Sequence, residues 1–211
     1  MKAKAQALAA TAERREMDEG AEMLARHIDG DPRAFEELVG RFGPKVYGFL
    51  TRSGIQAATK DDLFQETFMR VHLSARRYNP EYPFRVWLFA IANNVLRSHF
   101  RKQKVRRIFT SWWRRPAGKD PHADREPMDP PDKQPGTHQK ASGREDVRWL
   151  ESALSGIPEG QRRALLLTQV EGLSLKEAAR ILDAPVPTVK TWIRRARLKL
   201  ARAYAQKESE S

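Results

Sequence analysis

Residues Leu173 to Ala203, LSLKEAARILDAPVPTVKTWIRRARLKLARA, constrain the chain most, because they allow two helical periods separated by one enforced break. Ser174 followed by Glu177 is a capping box, and Leu173 just before it is placed to staple onto Ala178. A first helix therefore runs from Ser174 through Ala178, Ala179 and Leu182. Asp183, Ala184 and Pro185 interrupt it, since the residue before a proline leaves the helical region and Pro185 has no backbone donor. Val189, Ile193, Ala196 and Leu200 then recur at the spacing of one helical stripe. Off that stripe lie Lys190, Thr191, Arg194, Arg195, Arg197 and Lys199, cations and a hydroxyl suited to phosphates and base edges in a major groove. The pattern predicts a helix-turn-helix with a basic recognition helix.

The charge of the whole chain points to the same kind of partner. Its 211 residues carry 39 Lys and Arg against 27 Asp and Glu, a net charge of +12 that favours a polyanion. There is no cysteine, which excludes disulfides and thiolate metal sites. No window approaches the roughly 18 apolar residues of a membrane span, and no cleavage-site pattern follows the polar N-terminus. A soluble cytoplasmic protein without cofactor or membrane insertion is expected.

The remaining stretches predict an all-α chain: two small helical domains joined by a long flexible linker. Residues 1–30 form a polar arm. In 31–109, Asp31-Pro32 reads as a helix start, with Phe35, Leu38, Val39 and Phe42 as its apolar face. Gly43-Pro44 reads as a break, after which Val46, Tyr47, Phe49 and Leu50 continue in a second helix up to Ser53-Gly54. Thr59 with Asp62 reads as the cap of the next helix, Asp61 and Asp62 lying in its first turn. Phe64, Phe68, Val71 and Ala75 are its buried stripe, leaving Asp62, Gln65, Glu66 and Met69 on another face. Tyr78 to Pro83 is a loop, followed by a long helix with Phe84, Leu88, Ile91 and Val95 inward. On its other side Trp87, Asn94, Arg97 and Arg101 form an aromatic, amide and cationic stripe of the kind that stacks bases and tracks a backbone. Residues 110–143 are rich in Pro, Gly and charge and read as the linker, with the Trp112-Trp113 pair at its start. Residues 144–206 form the last domain, with Val147, Leu150 and Leu154 at helical spacing. Ala164, Leu165, Leu167 and Val170 supply a core under the helix-turn-helix, and Gly172 ends their helix.

Taken together, DPRAFEELVGRFGPKVYGFL, DDLFQETFMRVH, FRVWLFAIANNVLRSHFRK and IPEGQRRALLLTQVEGLSLKEAARILDAPVPTVKTWIRRARLKL resemble the extracytoplasmic-function sigma factors of bacterial RNA polymerase. The resemblance covers nearly all of the chain outside the arm and the linker. It implies that Asp62, Gln65 and Glu66 dock core polymerase. It implies that Tyr78, Tyr82, Trp87, Asn94, Arg97 and Arg101 melt and bind the −10 element as single strand. It assigns Thr188, Lys190, Thr191, Arg194 and Arg195 to the double-stranded −35 element, and it implies an anti-sigma partner and a response to stress or an envelope signal. Pro187 stands where the family commonly has Gly, and Trp192 replaces a common Arg.

Other readings start from the same residues. Asp61, Asp62, Glu66 and His72 could be drawn as a metal-dependent nuclease site, but helix capping accounts for the aspartates and His72 is an ordinary helix-surface residue. A sigma-like mimic that only sequesters an anti-sigma factor would not need a basic recognition helix. A generic helix-turn-helix regulator would not need the first domain.

Overall fold

The computed structural model describes residues 19–113 and 149–210, with backbone only for 107–113 and 210. All regular structure among them is helical: α1 (19–28), α2 (Ala34–Arg52), α3 (Ala57–Ser74), a short 3-10 turn (Ala75–Arg77) and α4 (Phe84–Trp113) in the first half. The second half holds α5 (149–155), α6 (Glu159–Leu165) running into a π turn (Leu166–Val170), α7 (Leu175–Leu182) and α8 (Val186–Glu210). Among the described residues no helix is long and apolar enough to cross a membrane.

In the first half, α2, α3 and α4 close around Phe42, Phe49, Phe84, Phe89, Leu38 and Leu88, all fully buried. Helix α1 lies close enough that a Cβ added to Gly20 would sit 2.2 Å from the Phe84 ring, so only glycine permits the approach. In the second half, Ala164, Leu166, Leu167, Ala178, Val189 and Ala196 bring α6, α7 and α8 together. These two sets belong to one continuous cluster of buried side chains, so the halves pack against each other across α4 and α7.

Several boundaries differ from those expected. Gly43-Pro44 does not break a helix, because α2 runs straight through Pro44. Proline removes one backbone bond and crowds the carbonyl of residue 40, which is a local cost. The buried run Phe42, Val46, Phe49 and Leu50 repays continuity. Helix α2 begins at Ala34 rather than Pro32, with Asp31 Oδ1 accepting from the Arg33 amide at 3.0 Å one turn earlier. Helix α3 begins at Ala57, its first turn closed by Thr59 N donating to Gln56 O, so Thr59 is no cap and Asp61 and Asp62 fall in the second turn.

Val170, expected in the core, is 50% exposed. The π turn over Leu166–Val170 widens the helical period and turns Val170 outward, while Leu166 at its start is buried. The backbone of α4 is helical to Trp113, past the expected start of the linker at 110. The side chains of Trp112 and Trp113, the rest of the linker and Val147 lie outside the described residues.

Candidate nucleic-acid interface

Local chemistry builds the helix-turn-helix as the sequence requires. Ser174 Oγ accepts from the Glu177 amide at 3.3 Å and the Ser174 amide donates to Glu177 Oε2 at 2.7 Å, the reciprocal pair of a capping box. Asp183 ends α7 in the left-handed region (φ 55°), a conformation aspartate tolerates better than most side chains. Burial of Val189, Ile193 and Ala196 then fixes which side of α8 faces outward.

Lys190, Thr191 and Arg194 line one groove of about 880 Å³, with Arg197 and Leu198 beyond them and Thr168 and Gln169 opposite. Arg197 Nη2 donates to Gln169 Oε1 at 2.5 Å, which steadies that wall. The Thr191 hydroxyl donates to Pro187 O at 3.0 Å and keeps its lone pairs as acceptors. Thr188 and Arg195, seven residues apart, lie outside that groove toward the flank of α8 that carries Trp192, whose indole lies 3.4 Å from where a Cβ on Gly160 would be. The expected −35 set thus spans one outward arc of α8, of which Lys190, Thr191 and Arg194 line the groove and Thr188 and Arg195 do not.

On α4, Asn94, Arg97 and Arg101 line a groove of about 540 Å³ together with Lys104 and Arg163. Burial pushes the Arg163 guanidinium below its ordinary value, with Glu159 opposing and Arg97 adding to the shift. The loop ahead of α4 is held by Tyr78, whose hydroxyl donates to Tyr82 O at 2.7 Å. Tyr78 also packs on Trp87 with ring centroids 5.2 Å apart, and Trp87 on Phe84 at 5.9 Å. Trp87 is therefore a half-buried brace for the loop, while Tyr82, Asn94, Arg97 and Arg101 are exposed.

Helix α3 presents Asp62 and Gln65 outward. Glu66 is half-buried and paired with Arg70 at 2.5 Å. Met69 and Leu73 continue the same face at 60% and 73% exposure, an apolar flank to an acidic patch that suits a protein partner. Of the residues that could have formed a nuclease site, Asp61 faces the Tyr47 hydroxyl and raises its pKa. His72 Nδ1 lies 3.0 Å from His27 Nε2.

Four residues at contacts between the halves were not singled out by the sequence: Arg85, Asn93, Arg163 and Arg180. Arg85 donates to Glu171 O, and Arg180 lies 4.6 Å over the Tyr82 ring. For Arg85 and Asn93 the one sequence signal is polarity at positions where helix periodicity puts core, as at Asn93 between Ala92 and Val95; the exposed Arg180 carries no such signal. That signal marks a partner but not which.

The Sigma-70 region 2 family matches residues 38–106, and Sigma-70, region 4 matches 148–200. The RNA polymerase sigma factor CnrH of Cupriavidus metallidurans is 31% identical over 180 residues, covering 85% of this chain and 91% of the relative. The ECF RNA polymerase sigma-E factor of Haemophilus influenzae is 32% identical over 183 residues, covering 83% and 89%. Among solved structures, CnrH in complex with the cytosolic domain of CnrY superposes with a TM-score of 0.62 at 27% identity, over 92% of this chain and 99% of the other. The sigma factor RpoE of Bartonella quintana, solved with the anti-sigma factor NepR, shares the fold with a TM-score of 0.65 at 22% identity, over 82% and 98%.

Proposed function

The chain belongs to the extracytoplasmic-function sigma factors of RNA polymerase, and from that premise we propose how its surfaces divide the work of promoter-specific initiation. Helix α3 docks core polymerase through Asp62, Gln65 and Glu66, with Met69 and Leu73 as the apolar part of the contact. The loop of Tyr78 and Tyr82, braced by Trp87, captures unstacked bases of the −10 element, and Asn94, Arg97 and Arg101 track its backbone. Lys190, Thr191 and Arg194 enter the major groove of the −35 element, and Thr188 and Arg195 contact the flanking phosphates. The protein acts in the cytoplasm, performs no covalent chemistry, and is restrained by an anti-sigma protein. Support for a protein partner is that the similar CnrH was solved bound to the cytosolic domain of CnrY.

The observation that carries this reading is the two-sidedness of α8, with Val189, Ile193 and Ala196 buried and Lys190, Thr191 and Arg194 outward beside one groove. Transcription reconstituted with core polymerase and fragmented genomic DNA tests it. Starts that appear only with this chain and share an upstream element are expected, and the Lys190→Ala, Arg194→Ala double variant should lose them. Identical starts with and without the chain would overturn the assignment.

A further inference from the structure

We propose that the groove between α4 and α6 is a binding site for a free nucleoside polyphosphate. Its α4 wall is one face of that helix, where Asn94, Arg97, Ser98, Phe100, Arg101 and Lys104 recur at three- and four-residue spacing. Glu159 and Arg163, one turn apart on α6, form the other wall. Four cations therefore meet one carboxylate, a surplus of three positive charges. Glu159 lies 3.8 Å from Arg163, and Asp183 lies 3.9 Å from Arg97, both too far for a good hydrogen bond. Among the described residues Arg101 and Lys104 have no acidic partner. Arg163 is the informative member, because its side chain is only 12% exposed and is held in place by Asn93 Oδ1, which accepts from Nη1 at 2.8 Å. Burial, with Arg97 adding to it, outweighs Glu159 and keeps this guanidinium below its ordinary value. An anion in the groove would reverse that.

The rest of the lining chooses among anions. The groove holds about 540 Å³, within the roughly 300–1,000 Å³ of small-molecule sites, and a single phosphate would leave most of it unfilled. Phe100 offers a half-buried ring on which a base can stack. Ser98 adds a hydroxyl and Asn94 an amide for the polar edges of a base or sugar. Arg97, Arg101, Lys104 and Arg163 then take the phosphate chain, the arginines as two-pronged donors. A DNA strand tracking α4 needs that helix alone, whereas the second wall on α6 suits a short free ligand. Arg97 and Arg101 are shared with the −10 site, so a bound nucleotide competes with the single strand. Only this consequence rests on the −10 assignment.

Calorimetric titration of the full chain with ATP, GTP, inorganic tripolyphosphate and adenosine tests the site. One molecule of ATP or GTP per chain is expected, with tripolyphosphate at least about fivefold weaker for want of a base to stack, and adenosine without measurable heat. Lys104→Gln and Arg163→Gln should each weaken ATP about tenfold or more, as loss of a charged hydrogen bond does. Phe100→Leu should bring ATP down to the affinity of tripolyphosphate while leaving tripolyphosphate itself within about twofold. Lys104 is exposed, so Lys104→Gln answers even if Arg163→Gln, which breaks the bond to Asn93, loses helicity. No saturable binding of ATP or GTP, adenosine binding as well as ATP, or unchanged ATP affinity in Lys104→Gln would each overturn the site. Tripolyphosphate as tight as ATP would overturn the nucleoside. ATP is finally titrated against a labelled single-stranded DNA of randomised sequence bound to the parent and to Lys104→Gln. Displacement from the parent is expected, with about tenfold more ATP needed for the variant. Should ATP bind and the strand stay, the −10 assignment of Arg97 and Arg101 fails while the groove stands.

Discussion

Arg194 and Arg195 are exposed sequence neighbours on α8, but only Arg194 lines the groove, and that separates their expected effects. Arg194 borders the groove with Lys190 and Thr191, whereas Arg195 lies outside it toward the flank of Trp192. Arg195→Ala should weaken holoenzyme binding evenly across promoter sequences and lower the salt slope by about one, as loss of one phosphate contact does. Arg194→Ala should relax preference at one position of the −35 element, at about 1–3 kcal/mol of discrimination. Binding isotherms at several salt concentrations on matched and mismatched duplexes read both. A second residue-scale expectation concerns His27, which packs on Phe35 and faces His72. Burial first, and His72 second, hold its pKa below the ordinary 6.5. A depressed folded value means that the fold prefers the neutral ring, so its contribution is complete above pH 6.5 and is lost as pH falls through the folded value. The urea midpoint should fall from about pH 7 to about 5, and His27→Gln should flatten that slope.

Among the elements, α7 owes its start to Ser174, and Ser174→Ala should cost about 1 kcal/mol of unfolding free energy by removing a cap that serves the Glu177 amide. Chemical denaturation measures it. Helix α3 should behave differently, because Asp62 is exposed and Glu66 is already paired with Arg70. The Asp62→Lys, Glu66→Lys double variant should keep its helix content by circular dichroism while losing affinity for core polymerase, and unchanged affinity would remove α3 from the docking surface. These two elements also show what a sequence discloses. The start of α7 was legible because both partners of its cap lie three residues apart and the break at Pro185 is local chemistry. The start of α3 was misread because Thr59 and Asp62 have the right spacing for a cap, while the turn was already closed at Gln56. Pro44 was misread for the converse reason: its local cost is real, and burial of Phe42, Val46 and Phe49 across the whole half outweighs it. Val170 was assigned to the core on an unbroken helical period, which the π turn interrupts without any marker in the residues themselves.

At the scale of the whole molecule, the sequence suggested two bodies on a tether, and the structure shows one continuous buried cluster. Both come from the same composition. A linker with little to bury separates the halves along the chain, but says nothing of the faces they turn toward each other. The polar residues that join those faces, Asn93 with Arg163 and Arg85 with Glu171, are 70 and 86 positions apart, beyond any spacing rule. The turn at Gly54 belongs to the same junction: at φ 80° it admits the Arg162 guanidinium, which a Cβ would meet at 2.3 Å. Such a junction should make unfolding cooperative across the halves. Asn93→Ala removes one side chain and leaves two groups of the opposite half, Arg163 and the Ile181 carbonyl, without their partner. A buried polar group stripped of its partner costs about 1–3 kcal/mol. For a chain of this size each kcal/mol lowers the melting temperature by roughly 2–4 °C. Differential scanning calorimetry of the parent should show a single transition. The Asn93→Ala variant should melt about 2–10 °C lower, or resolve into two transitions as the halves uncouple. A single transition at the parent's temperature in the variant would mean that apolar contact alone joins the halves, and that the buried amide bridge sets neither their register nor their strength.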